Sequence, residues 1–227
     1  MANIMQVFHR CLLIFCALLW VSPAFCYEPP ASSLKMILDK QGVKVWSYQV
    51  PNSPLSGFKA VTTVKSTLGG LVNLIADTQN ASRWIYRAKN VELLQRDDAD
   101  MTFTVRVITD FPWPFKDREA LVAGKIVQDP SSLRVRIDSS NTNAFPQSNC
   151  CLRMPVVEGS WIFRPLGDGL VEVTMTGHAD PGGLIPAGMV NLMIQEHPYN
   201  TLKGLRRMVN EERYQHSRNP SIHEPSS

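Results

Sequence analysis

Hydrophobic and polar residues alternate with a period of two through most of the chain after residue 42, and each such run predicts a β-strand. "VKVWSYQV" (Val43 to Val50) and "FKAVTTVK" (Phe58 to Lys65) flank the turn-forming "PNSPLSG" and read as a hairpin-like pair. The period then changes. Ser66 or Thr67 stands as a helix cap before Leu68, Leu71, Val72 and Ile75 at helical spacing, Asp77 to Ser82 breaks the helix, and a short second helix carries Trp84. Strand patterns return at Val91–Gln95, Met101–Thr109, Arg118–Gln128, Leu133–Ser139, Ser160–Pro165 and Leu170–His178, separated by turn chemistry such as "RDDAD", "DPSS" and "LGDG". Strands in succession with no helix between them predict an antiparallel meander. The chain closes on a long amphipathic helical pattern carrying Met189, Leu192, Met193, Tyr199, Leu202, Leu205 and Val209. The fold class is therefore α+β.

The strands have one apolar face and one polar face. Phe103, Val105 and Val107 alternate with Thr104 and Arg106; Val135 and Ile137 with Arg134 and Arg136; Val171, Val173 and Met175 with Glu172 and Thr174. Such a sheet needs a cover, and the terminal helix is the long amphipathic element left to supply it. A sheet of this length curls, which raises the question whether its inward side chains fill the interior. Between residues 118 and 126 the apolar phase reads Arg118, Ala120, Val122, Gly124, Ile126, which is unusually small. Small side chains in the middle of a curved sheet leave room; a bend relieved by Gly124 is an equal and compatible reason for them.

The chain ahead of these elements has a different character. His9 and Arg10 precede an apolar run from Cys11 to Val21 and a small-residue exit, the pattern of a cleaved secretion signal spanning residues 1–26. The run is shorter than the roughly 20 residues a spanning helix needs. One domain over residues 27–215 and a polar, frayed tail over 216–227 account for the rest, with the protein periplasmic or secreted and monomeric. The net charge of +3 has no basic stripe interleaved with aromatics, so no nucleic-acid partner is expected. Cys150 and Cys151 are adjacent and read as a redox-tolerant loop pair without a function of its own. Neither His178 nor His197 has metal-ligand spacing, and no nucleophile elbow or phosphate loop occurs, so the sequence nominates no catalytic residue, metal or cofactor. His178, two residues before Asp180, is expected to bond the loop ahead of the terminal helix.

Two tracts carry a family resemblance. "WPFKDREALV" (113–122) is similar to a Trp-Pro-x-x-x-Arg-Asp block, and "GSWIFRPLGDGLVEVTMTGHADPGGLIPAGMVN" places Pro165, Asp180, Pro181, Gly182, Gly183, Leu184 and Pro186 in order at a strand-to-helix junction. From about Val43 to Val209 the chain resembles the START domains, the lipid-transfer modules related to the steroidogenic acute regulatory protein, and especially their small secreted bacterial forms. The resemblance implies a helix-grip fold: a curved antiparallel sheet wrapped round a long C-terminal helix and enclosing a hydrophobic tunnel for one lipid or other apolar molecule. Trp113 would then pack near the mouth, and Arg118 with Glu119 would anchor the following strand by ion pairs. The expected ligand-facing set is Trp84, Phe103, Val105, Val107, Trp113, Arg118, Ala120, Val122, Gly124, Val173 and Met175 on the sheet side, with Met189, Leu192, Met193 and Tyr199 on the helix. Two departures matter. Residue 119 is Glu where the family has Asp, and no acid and arginine pair of the sterol-binding type aligns unless Arg106 turns inward.

The function so implied is binding, and possible transport, of a hydrophobic small molecule, with transient membrane contact through Phe111 and Trp113 as an option. An enzyme of the polyketide aromatase/cyclase type on the same scaffold, and a filled interaction protein, stay open at this stage. Energetics favour binding: each buried methylene contributes about 0.8 kcal/mol with no catalytic group required, and an unpaired charge in the same place costs several times that. Pro198, inside the closing helix, predicts that this helix is where the interior opens.

Overall fold

The computed structural model describes residues 29–226. Expectations for the leader at residues 1–26 lie outside them. After a short 3-10 turn the chain forms β1 (Lys35–Lys40), β2 (Val43–Gln49) and β3 (Ser56–Lys65), then α1 (Leu68–Ala76). A 3-10 turn at Thr78–Arg83 follows, with Trp84 at its end, where the sequence predicted a second short helix. Next come β4 (Ala88–Asp97), β5 (Thr102–Thr109), β6 (Arg118–Gln128), β7 (Val135–Asn141), β8 (Leu152–Arg153), β9 (Val156–Gly167) and β10 (Leu170–Asp180). The chain ends with α2 (Ala187–Met208) and the one-turn α3 (Glu212–Gln215).

The strands form one curved sheet in the order β1-β2-β3-β10-β9-β7-β6-β5-β4, with β8 paired in parallel to the start of β6. The meander from β4 to β10 matches the sequence pattern, and the hairpin β2–β3 extends it by pairing β3 with β10. Each strand's apolar phase faces inward. The core gathers Val43, Val45, Phe163, Val171 and Val173 from the sheet, Leu68, Leu71 and Leu74 from α1, and Leu202, Leu205 and Met208 from α2. The C-terminal half of α2 is thus fixed to one end of the sheet. Gly204 makes this possible: a side chain there would stand 2.4 Å from the Trp84 carbonyl, so helix and turn approach only because it has none.

The tail is a correction. Residues 216–226 are polar in sequence but bind back on the domain instead of fraying. The Glu224 carboxylate accepts from the Leu68 and Gly69 amides at the start of α1, at 2.9 and 2.7 Å, beside the Thr67 hydroxyl that accepts from Gly70. These are the donors a helix N-terminus leaves open, and a carboxylate there also meets the positive end of the helix dipole. Ile222 is buried in the core and His223 exchanges two hydrogen bonds with Gln128.

Candidate functional site

The inward positions near the middle of the sheet form a row across it: Phe58 on β3, Gly177 on β10, Gly159 on β9, Ser139 on β7, Gly124 on β6 and Phe103 on β5. At one end, the Phe103 ring reaches to 2.4 Å from where a Gly124 side chain would begin, so that gap is filled. At the other, Phe58 stands 3.3 Å from the corresponding point at Gly177. Between the two rings the floor is Gly177, Gly159 and Ser139, with nothing larger than a hydroxymethyl group. Above it passes the N-terminal half of α2, which lowers Val190, Met193, Ile194, His197 and Thr201 toward the sheet. The spacing 190, 194, 197, 201 continues to Leu205 and Met208 and is one face of a 3.6-residue helix.

A pocket of about 310 Å³ lies between floor and helix. Val107, Ala120, Val122, Trp161 and Met175 are among its sheet-side walls, and Phe111, Met154 and Pro181 stand at one end. The lining is mainly carbon. Two larger recesses, of about 910 and 820 Å³, are rich in Arg, Lys, Asn and Asp, and neither lies under the N-terminal half of α2.

Of the expected ligand-facing residues, Val107, Ala120, Val122, Met175 and Met193 line this pocket. The others lie elsewhere, for distinct reasons. Val173 belongs to the solid core, fully buried opposite Phe163. Trp84 is buried there too, edge-on to Trp161 with ring centroids 6.0 Å apart. Val105, opposite Val122, lies two residues along β5 from Val107 and off the lining, and the room expected at Gly124 is taken by Phe103. Met189 and Leu192 fall off the buried stripe of α2, leaving Leu192 68% exposed. The Tyr199 hydroxyl donates to Gln41 Oε1 at 2.8 Å, on the turn between β1 and β2. Trp113 does not pack at the mouth; it is 90% exposed on its loop.

Arg118 is also corrected. It is buried, but its partners are carbonyls: Nε donates to Pro181 O at 2.7 Å, Nη2 to Gly182 O at 3.2 Å, and Nη1 to Lys116 O. Its guanidinium lies 4.5 Å over the Phe111 ring, and burial lowers its pKa from the ordinary guanidinium value. Arg118 therefore staples the loop before α2 to the loop before β6. The ion pairing expected of this segment belongs to Glu119 alone. That residue points to the outer face, fully buried, where it accepts from the Ser148 amide at 2.8 Å, the Ser148 hydroxyl and Arg153. Burial works to raise the Glu119 pKa, but the Ser148 and Arg153 hydrogen bonds and the Arg153 charge outweigh it and hold the carboxyl below its usual range. Arg106 turns outward as well, to Glu92 at 2.7 Å and Glu119 at 3.7 Å.

The segment that supplies Ser148 also contains Cys150 and Cys151, joined to each other as a disulfide. His178, next to Gly177 on β10, borders the pocket together with Glu158, its register partner, with Nδ1 3.9 Å from that carboxylate. It does not bond the loop before α2; the Asp180 side chain does, accepting from the Gly182 amide at 2.8 Å. His197 faces the pocket, with its ring centroid 6.4 Å from Phe58 and 6.5 Å from Tyr86. Burial pushes its pKa down to about 4. The sequence reading missed His197 together with Val190, Ile194 and Thr201. Counting back in helical steps from Leu205 would have found them.

No family model matches the chain. An uncharacterised protein of Pseudomonas aeruginosa is 29% identical over 176 residues, covering 78% of this chain and 86% of that protein. Among solved structures, a STAR-related lipid transfer protein from Xanthomonas axonopodis is 26% identical, covers 79% of this chain and 99% of its own, and superposes with a TM-score of 0.73. The human StAR-related lipid transfer protein 5 is 14% identical, with 80% and 88% covered and a TM-score of 0.71. With its curved antiparallel sheet closed by a C-terminal helix, the chain has the fold of the START lipid-transfer domains.

Proposed function

We propose that the protein binds one hydrophobic small molecule in the pocket between the sheet and α2, and carries it. The observation behind this reading is the bare floor. Gly177, Gly159 and Ser139 keep large side chains out of the space beneath α2, and the walls around it are mainly carbon. About 310 Å³ is at the small end of ligand sites and equals roughly ten waters, room for a single chain or a compact ring system. Burying such a molecule yields about 0.8 kcal/mol per methylene, before the cost of ordering it. The names of the START structures that share this fold support the reading.

We read the protein as a binder and not an enzyme. Arg118, Glu119 and His178 are the polar groups a catalyst on this scaffold would draw on; Arg118 is committed to carbonyls, Glu119 to Ser148 and Arg153, and His178, which borders the pocket, stands with Nδ1 3.9 Å from the Glu158 carboxylate. We also place it outside the cytoplasm. That location rests on the apolar leader pattern and on a disulfide, which persists in oxidising compartments. Loading and release would take place at a lipid surface. Trp113 is 90% exposed and Leu184 99% exposed, and the loops that carry them are held at one edge of the molecule by Arg118. Exposed apolar side chains so placed fit a membrane contact.

The test is to fill the floor. A side chain at Gly159 begins at ordinary van der Waals distance, its nearest neighbour 3.4 Å away, so Gly159→Leu should fold while occupying the pocket. Titration with a fluorescent apolar probe should show saturable, one-to-one binding to the wild type and at least tenfold weaker binding to the variant. Equal binding to both proteins would place the ligand elsewhere and remove the proposal.

A further inference from the structure

Resting on the pocket as a binding site, the structure assigns His197 as the anchor for one uncharged hydrogen-bonding group, a hydroxyl or carbonyl, on an otherwise hydrocarbon occupant. His197 is set among apolar groups in the middle of α2, facing the pocket with Phe58 and Tyr86 beside it. Neither ring nitrogen has a hydrogen-bond partner among the described residues. A polar group turned into an apolar space without a partner costs free energy that a leucine there would avoid, and an occupant with a matching group offsets that cost. Two hydroxyls of the lining are already engaged: Thr201 Oγ1 accepts from the Tyr86 amide at 3.2 Å, and Ser139 Oγ donates to the Gly159 carbonyl at 3.3 Å; Ser160 Oγ, also on the lining, has no partner among the described residues.

The next residue extends the same polar spot. Pro198 has no N–H, so the carbonyl of Ile194, a pocket residue, lacks its usual donor four positions on. One turn of α2 therefore offers an imidazole, which donates at one nitrogen and accepts at the other, beside an under-donated carbonyl. A ligand hydroxyl suits both. A carboxylate or phosphate does not, because neither nearby arginine turns to meet it: Arg118 is turned to carbonyls and Arg106 to the outer face. Desolvation disfavours the charged imidazole, which agrees with a neutral anchor.

Three ten-carbon probes discriminate: decan-1-ol, decane and decanoate, each competed against a fluorescent apolar reporter at pH 7.5. Wild-type protein is expected to bind decan-1-ol about tenfold more tightly than decane, and decanoate more weakly than decan-1-ol. His197→Leu should erase the preference, weakening decan-1-ol about tenfold while leaving decane unchanged or tighter. His197→Gln, which keeps a donor and an acceptor, should restore most of it. Equal affinity for decan-1-ol and decane in the wild type, an equal loss for both in His197→Leu, or decanoate binding as tightly as decan-1-ol would each overturn the anchor while leaving an apolar binding site intact. Displacement by none of the three would remove the binding site itself, and the anchor with it.

Discussion

Glu119 is fully buried and His197 faces the enclosed pocket, and desolvation acts on them with opposite outcomes. Glu119 stays ionised because Ser148 and Arg153 satisfy its oxygens, and it links the start of β6 to the segment that covers its outer face. Glu119→Ala would strand Arg153 and Arg106 without their carboxylate; loss of about 3–5 kcal/mol is expected, read from urea unfolding. His197 instead stays neutral. Its pKa of about 4 in the folded protein lies below its ordinary 6.5, so between those values the unfolded chain binds the extra proton. Stability of the ligand-free protein should be complete above pH 6.5 and fall as the pH drops toward 4, with a slope approaching about 1.4 kcal/mol per pH unit. Glu119, with its lowered pKa, adds stability that is full above pH 4.5 and is lost only as the pH falls below that. His197→Gln should flatten the slope between pH 4 and 6.5, and an unchanged slope would mean that the imidazole is solvated. His197 was hidden in the sequence because a single histidine beside a proline carries no spacing signal; only the face on which it falls gives it meaning.

At the scale of elements, α2 has two unequal halves joined at Pro198. Leu202, Leu205 and Met208 are fully buried in the core beyond it, whereas before it Val190 and Ile194 cover the pocket and Leu192 faces solvent. The first half has fewer apolar contacts to lose, so it is the part that can lift to admit a ligand. Hydrogen exchange should be faster in residues 188–197 than in 201–208, and an apolar ligand should slow the first half selectively. Uniform protection along α2, with and without ligand, would mean the pocket opens by another route. The strands of the meander were legible because one face of each is buried, and that imposes strict alternation. β1 was not legible: "KMILDK" is an edge strand with Met36 half exposed, so no alternation is enforced. Nor was β8, two residues too short to show a period, paired with Arg118 and Glu119 by backbone and by the Arg153–Glu119 ion pair.

For the whole molecule, the sequence carried the architecture further than the site. Apolar phase decided which face of β5, β6 and β10 turned inward, and Val107, Ala120, Val122 and Met175 followed from it. It did not say which small residue marks open space. Gly124 is plugged by Phe103, while Gly159 is left uncovered, and that difference depends on register across strands far apart in the chain. The polar tail was misread because its contribution is made by one carboxylate and one isoleucine, Glu224 and Ile222, docking on α1 and the core. Native mass spectrometry of the protein isolated from its own cells, before and after solvent extraction, tests most directly whether the space under α2 is a ligand site. A single bound molecule of mainly hydrocarbon character with a hydroxyl or carbonyl, absent from Gly159→Leu, is the expected result. A wild-type protein that carries no extractable molecule and takes up none of the ten-carbon probes would contradict it.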